Sequence, residues 1–307
     1  LTLIGLGAYC FWVLGSSPAE EQVVLVGTCI QLGMIAASLS LYFYFHARTV
    51  QAKKKHQWYD NLKQIKIADL SIRTRDEMLP WHVFLLPILI TAGIIGYTIL
   101  KYDVLPDQIP THWGINGEAD AFTAKTPVSA VSMPAFLLVM QIMTLAIHSA
   151  TKSSGVKLSA AAQQASRVRQ LMLRKYTSWL LFLVSLSVTV LFSFFQLNMI
   201  HPDLFDHSIM VALPMIFLAA TLAGTVYYAG RVGRSDKVAV ELADESVADY
   251  DEDAHWVGGI LYFNRNDPSI FVEKRFGVGW TLNFGNPIGY LIVLIPLAII
   301  LILTLFI

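Results

Sequence analysis

The sequence predicts an all-α polytopic membrane protein of about seven transmembrane helices, with a small cytoplasmic β-hairpin or three-stranded module before the last helix. Three observations carry that expectation. The first is a series of seven apolar runs, Leu1–Gly15, Gln22–Phe45, Pro80–Leu100, Ala130–Ile147, Trp179–Leu197, Met210–Ala229 and Gly289–Ile307, none of which contains Asp, Glu, Lys or Arg. All but the first are long enough to cross a hydrocarbon core of about 30 Å at about 1.5 Å per residue. The second is the placement of the charges between the runs. The third is a stretch of strand and turn composition just before the final run.

Bulk composition agrees. Hydrophobic residues make up 55% of the 307 and charged residues 14%, and the mean hydropathy of +0.55 lies above that of ordinary soluble domains. Net charge is zero, so the total says nothing about partners. Cys10 and Cys29 both fall inside apolar runs, which reads as packing rather than a disulfide framework. The first run is short for a span and the chain opens on Leu1, so the expectation is a sequence that begins inside a helix. A cleaved signal peptide is the rival, without a visible basic n-region.

The gaps His46–Leu79, His148–Ser178 and Gly230–Ile288 hold 20 of the 22 basic residues. The alternate gaps hold only Lys101 and Lys125. Basic loops are retained in the cytoplasm, so the expected orientation has the N-terminus cytoplasmic and the C-terminus outside. Tyr42, Tyr44, Trp81, Tyr97, Tyr102, Trp179, Tyr227, Tyr228 and Tyr290 stand near span ends, where amphipathic rings favour the headgroup level. Pro87, Pro134, Pro214 and Pro296 lie inside spans and read as kinks absorbed by packing.

The chain therefore divides into a helical bundle over 1–229 with an outer loop at 101–129, an acidic cytoplasmic linker at 230–254, a small module at 255–288 and a last helix at 289–307. The first basic gap reads as a helical continuation of its span, with Lys53, Lys54 and Lys55 at the headgroups. Leu158–Thr177 reads as helix leading into Trp179. Glu241, Asp244, Glu245, Asp249, Asp251, Glu252 and Asp253 form an acidic tract expected to be a solvated linker. In the module, Ile260–Phe263, Ile270–Val272 and Trp280–Phe284 have strand composition, and Asn264–Pro268 and Phe276–Gly279 have turn composition. So small a sheet cannot bury a core alone and should dock on helix ends or a partner.

Two regions carry candidate sites. In the outer loop, Pro106 and Pro110 restrict the backbone, and Asn116-Gly117 signals a turn. The loop is then shaped, and it displays His112, Trp113, Glu118 and Asp120, whereas Lys125 reads as a solvated charge. In the module, Asn264, Asp267, Lys274, Arg275 and Trp280 are candidates for contact with a cytoplasmic protein partner or lipid, the basic pair suiting phosphate or acidic groups. His112, His201 and His207 are weak candidates for an external metal site, with imidazole beside carboxylates but no recognised spacing.

The outer-loop pattern LP–x–x–IP–x–H followed by G–x–x–D resembles the N-terminal domain of SdpI-type immunity proteins. It is carried here by Leu105, Pro106, Ile109, Pro110, His112, Gly117 and Asp120. The stretch W–x–G–G–x–x–Y–x–N–x–x–DP, then VEKR, then GWTLN, is similar to a second module often joined to that family, on Trp256, Gly258, Gly259, Tyr262, Asn264, Asp267, Pro268, Val272, Lys274, Arg275, Gly279, Trp280 and Asn283. The resemblance implies a multi-span bacterial membrane protein that confers resistance to a secreted toxin and relays its presence to a cytoplasmic repressor. This chain differs in carrying the cytoplasmic module and extra spans.

Among functions, an enzyme is disfavoured: there is no HExxH, no GxSxG and no pair of intramembrane aspartates. Gln31, Gln141 and Gln196 are the strongest hydrogen-bonding groups within the spans and read as helix-to-helix packing. The expectation is a binding or signalling membrane protein whose outer loop recognises a peptide toxin or envelope component, without cofactor or direct nucleic-acid contact. Its partners would be membrane lipids outside the bundle and a protein at the cytoplasmic module. The alternative is a transporter or envelope enzyme handling a lipid-like substrate in a helix-lined cavity.

Overall fold

The computed structural model describes residues 7, 9, 12–13, 15–16, 20–58, 63–114, 117–155, 157–160, 162–202, 204–233 and 247–305. It divides into two units, residues 1–62 and 63–307. The first unit is dominated by helix α1, Glu20–Lys55. It ends on Lys53, Lys54 and Lys55, cations placed where a helix C-terminus favours them. The first apolar run lies mostly outside the described residues.

The second unit holds five long helices: α2 (Leu85–Leu100, led by a 3₁₀ turn at Trp81–Phe84), α3 (Pro127–Ser153), α4 (Gln163–Ile200), α5 (His207–Gly233) and α6 (Pro287–Leu305). With α1 they give six helices long and apolar enough to cross a membrane among the described residues. The protein is a helical membrane protein. Helices α2, α3 and α4 pack on one another, α5 packs on α4, and α6 packs on α3.

The bundle is apolar outside and polar at its centre, as a lipid solvent requires. Leu89, Leu222 and Leu301 are exposed, whereas Thr91, Thr98, Gln141, Thr189 and Gln196 are buried. Gln141 donates to the Thr91 and Thr189 hydroxyls at 2.8 and 2.7 Å, joining three helices. Gln196 donates to Thr98 at 3.1 Å and to the Ala130 carbonyl at 2.9 Å. Such side chains act as interhelical ties because hydrocarbon offers them no other partner. Gln141 and Gln196 make the interhelical ties expected of them, whereas Gln31 is exposed on α1. The prolines at 134, 214 and 296 sit within continuous helices.

Helix α3 starts where the chain dictates. Thr126 and Ser129 form a reciprocal capping box, with Pro127 in the first turn, where its missing N–H costs nothing. Helix α4 begins at Gln163 and carries the predicted helix through Thr177.

Among the described residues, ten short strands form five separate two-stranded sheets. At the base-rich end, β1 (Lys63–Ile65) pairs parallel with β6 (Val247–Asp249), and β2 (Ile67–Ala68) pairs antiparallel with β5 (Lys157–Leu158). At the other end, β3 (Gln108–Trp113) and β4 (Ala119–Ala124) make an antiparallel hairpin with two register shifts. The module contains β7 (Trp256–Val257) with β8 (Leu261–Tyr262) and β9 (Phe271–Glu273) with β10 (Trp280–Leu282), joined by a bridge between Tyr262 and Asn283.

Four expectations change in detail. The first basic gap continues its span as helix only to Lys55, and beyond it come the strands β1 and β2. The outer loop, expected as a shaped loop, is a β-hairpin; its bulges accommodate Pro110, which cannot serve a regular ladder. The module is two linked hairpins instead of one sheet. The acidic tract from Glu241 through Glu245 lies outside the described residues, but its later part is no solvated linker. Asp249 accepts from the Ala160 backbone, Glu252 pairs with Lys157, and Asp253 pairs with Arg275.

Candidate functional site

The β3–β4 hairpin stands on an apolar base. Leu105 and Ile109 are buried with Ala130, Met199 and Ile200, flanked by Tyr97 and Tyr102. These are the two aliphatic positions of the outer-loop motif, and they anchor it. Lys125 is part of this foundation: its ammonium donates to the Leu105 carbonyl at 2.8 Å and lies 5.0 Å from the Tyr102 ring centre. The reading of Lys125 as a solvated charge is therefore corrected, since it closes the loop on itself.

Beneath the hairpin lies a cavity of about 680 Å³. Its roof is Pro110, Thr111, His112, Trp113, Gly114 and Gly117; its walls are Ser132, Met133 and Phe136 of α3, Phe192 and Phe195 of α4, and Met210, Val211, Pro214 and Met215 of α5, with Thr304 of α6. Every wall residue lies within about 14 Å of its helix end, at 1.5 Å per residue. The cavity therefore opens at one membrane boundary. Among the described residues, no Lys, Arg, Asp or Glu lines it.

Two contacts hold the roof. The ring of Trp113 packs 4.7 Å from that of Phe195. At the turn, Gly117 has φ of +79°, and a Cβ there would sit 2.9 Å from Val211 Cγ2. Positive φ and close approach to α5 both demand glycine. Gly117→Ala is expected to lower stability by about 1–2 kcal/mol from the left-handed conformation alone. Thermal unfolding in detergent measures this, and an unchanged midpoint would show that the turn does not bear on α5.

The sequence-selected residues divide on this geometry. Pro110, His112, Trp113 and Gly117 line the cavity. Pro106, Glu118 and Asp120 are exposed. His112 Nδ1 and Asp120 Oδ1 are 2.5 Å apart across the hairpin, both well exposed. The motif's histidine and aspartate thus pair at the rim. The helix-borne walls were not selected from the sequence, because a Phe or Met inside a span looks the same whether it faces lipid, a neighbouring helix or a cavity.

The three candidate metal ligands are not gathered. His201 Nε2 is 2.7 Å from the Tyr97 hydroxyl, and His112 is taken by Asp120; the His207 side chain lies outside the described residues. Among the described residues, no three His, Cys, Asp or Glu side chains are grouped to hold a metal ion.

At the opposite end, the module docks on helix ends. Trp280 donates to Thr177 at 3.2 Å, and the Gly155 amide donates to Ser269 at 3.0 Å. Lys157 lies at the centre, 2.9 Å from Glu252, 3.1 Å from Asp267 and 2.8 Å from the Tyr262 hydroxyl. Burial disfavours its charge, but the bonds to Tyr262 and Glu252 outweigh that and hold its pKa above the usual lysine value. Burial likewise opposes ionisation of Asp267, yet hydrogen bonds from Ser269 and the nearby Lys157 leave its pKa below the ordinary one. The pair is charged throughout the neutral range.

Asn264 and Asp267 are therefore turned inward. Asn264 donates to the Tyr262 hydroxyl and accepts from the Asn266 amide, so both residues help to build the module. Lys274 and Arg275 are exposed, the latter paired with Asp253. The structure adds a residue that sequence reading left among the loop charges: Arg174, fully buried, paired with Asp76 and donating to the Lys152 and Ser154 carbonyls at 3.1 and 2.9 Å.

The comparisons with known families fit this division. Residues 88–138 match a domain of unknown function, DUF1648, and residues 265–290 match a family of unknown function, DUF5808. The first match covers most of α2, the hairpin and the start of α3, which together supply the roof and one wall of the cavity. The second covers the latter part of the module and the start of α6. No curated protein and no solved structure matches the chain.

Proposed function

We propose that the protein is a bacterial inner-membrane receptor of the SdpI-related kind, in which the β3–β4 hairpin and the cavity beneath it take the apolar segment of an envelope peptide. The hairpin faces outward in this reading, the N-terminus is cytoplasmic and the C-terminus outside, as the basic-residue asymmetry favours. The observation that carries it is the apolar cavity roofed by the motif residues Pro110, His112 and Gly117. Mostly apolar walls with a few polar groups at the rim suit binding better than chemistry. The hairpin segment 101–129 carries Asp103, Asp107, Glu118 and Asp120 against Lys101 and Lys125. That balance favours a basic amphipathic peptide over an anionic headgroup. Binding would be relayed to a protein at the module end without an enzymatic step.

The helix-lined, apolar character of the walls also supports a second reading, a carrier or envelope enzyme for a lipid-like substrate. A photoreactive benzophenone residue in place of Phe136, in right-side-out membrane vesicles, separates the two. Capture of an externally added basic amphipathic peptide, abolished by Val211→Trp, is the expected result. Capture of phospholipid alone would favour the second reading. Peptide capture only from inside-out vesicles would overturn the orientation.

A further inference from the structure

At the end of the bundle that carries the module, three arginines lie over exposed aromatic rings on separate elements. On α5, the Arg231 guanidinium is 5.5 Å from the Tyr227 ring centre and donates to its hydroxyl at 3.2 Å. In the module, Arg265 lies 5.6 Å from the ring of Phe263, and Arg275 lies 5.7 Å from that of Phe276. All three rings are exposed, Phe276 by 61%. A guanidinium laid on a ring keeps its forked donors free for phosphate while the ring seeks an apolar boundary.

The positions of these pairs share one level. Tyr227 and Arg231 stand in the last two turns of a membrane helix, so they mark the interface. The β9–β10 turn lies beside them: a Cβ on Gly233 would be 3.7 Å from Val278, and one on Gly279 would be 3.7 Å from the Tyr228 hydroxyl. Phe263 follows Tyr262, whose carbonyl accepts from the Phe284 amide, three residues before α6 begins. At about 3.3 Å per residue, that places the ring within roughly 10 Å of the head of a span. The headgroup layer is about 5–7 Å thick on each side, so the ring stands near its outer margin.

The β7–β8 hairpin has two unlike faces. Its Trp256–Tyr262 pair is buried in the module, whereas its Val257–Leu261 pair is exposed, with Ile260 and Phe263 beside it. An apolar patch next to ring-held cations, continuous with the heads of two spans, has the composition of an interfacial membrane contact.

We propose that the module is a membrane-surface clasp that binds the phosphates of anionic phospholipids through Arg231, Arg265 and Arg275, with Leu261, Phe263 and Phe276 seated at the acyl boundary. Arg275 is shared with Asp253, so Arg231 and Arg265 give the sharper test. The occupant is lipid; a cytosolic protein or a second copy of the chain would instead keep these side chains away from the bilayer.

The test uses the full chain in nanodiscs, with Cys10 and Cys29 replaced by serine. Spin labels at Leu261→Cys and Phe276→Cys should be relaxed by oxygen more than by a water-soluble nickel chelate. Phosphatidylglycerol mixed into phosphatidylcholine should raise the unfolding midpoint of the wild type, and that gain should be lost in Arg231→Gln with Arg265→Gln. The near-ultraviolet circular dichroism of the variant in phosphatidylcholine alone establishes that it is folded. Labels relaxed mainly by the nickel chelate would overturn the clasp. So would label-to-label coupling between two copies, or a variant that keeps the full gain from phosphatidylglycerol.

Discussion

Replacing Arg174 with leucine is expected to cost about 3–5 kcal/mol, the range for breaking a buried ion pair from one side. Arg174 is fully buried, and the side chain of Asp76 is 2% exposed. Without the guanidinium, Asp76 keeps, among the described residues, the Lys152 ammonium at 3.7 Å on the solvent side. The loss goes beyond charge, because the same guanidinium caps the end of α3 through the Lys152 and Ser154 carbonyls and lies 5.7 Å from the Trp280 ring centre. Arg174→Lys keeps the charge but cannot reproduce the fork, so it should fall between leucine and wild type. Asp76→Leu combined with Arg174→Leu should recover part of the loss, since no carboxylate is then left without its partner. Unfolding in mixed micelles gives all four free energies. A leucine variant as stable as wild type would mean that the pair does not hold the segment before α2 to the ends of α3 and α4.

Asn283→Leu is expected to open the module while leaving the helices intact. The Asn283 side chain donates to the carbonyls of Asn264, Asp267 and Ser269 and accepts from the amides of Asn264 and Gly285, at 3.0–3.1 Å. Leucine would remove all five bonds; the Asn264 carbonyl keeps the Asp267 amide at 3.3 Å, and each group left unpaired costs about 1–3 kcal/mol, although relaxation keeps the sum from being additive. A loss of at least about 3 kcal/mol follows. Amide exchange should quicken at Phe271–Glu273 and Trp280–Leu282 while far-ultraviolet helicity persists. Unchanged protection of those strands would show that the two hairpins do not depend on this amide.

The membrane architecture was legible because lipid imposes length and apolarity on every span, and the described spans fall where the apolar runs do. Module docking was legible for a related reason: six aromatic rings in 23 residues exceed what two small hairpins can cover. The role of Arg174 was not legible. It is one of the basic residues that mark a side of the membrane, and nothing in its neighbours distinguishes a solvated arginine from one enclosed by three chain segments. The outer hairpin was hidden by Pro110, which argues against a strand until bulges are allowed for. Of the residues lining the cavity, Pro110, His112, Trp113 and Gly117 came through the displayed loop. The walls rest on residues such as Phe136, Phe192, Phe195 and Met210, whose inward direction depends on helix rotation.

The two glutamine ties have a further consequence. Thr91 and Thr98 are seven residues apart on α2, and Thr189 and Gln196 are seven apart on α4; the members of each level meet through hydrogen bonds, with Gln141 bridging the first. Both helices run in the same direction through the bundle, so their contacts repeat every seven residues, the spacing of a shallow left-handed coil. A slip of either helix by one turn would break both levels together, and intermediate shifts would leave buried amides without partners. Helices α2 and α4 are thereby locked in register like two toothed rails. Motion that opens or closes the cavity then falls to α5 and the hairpin resting on it.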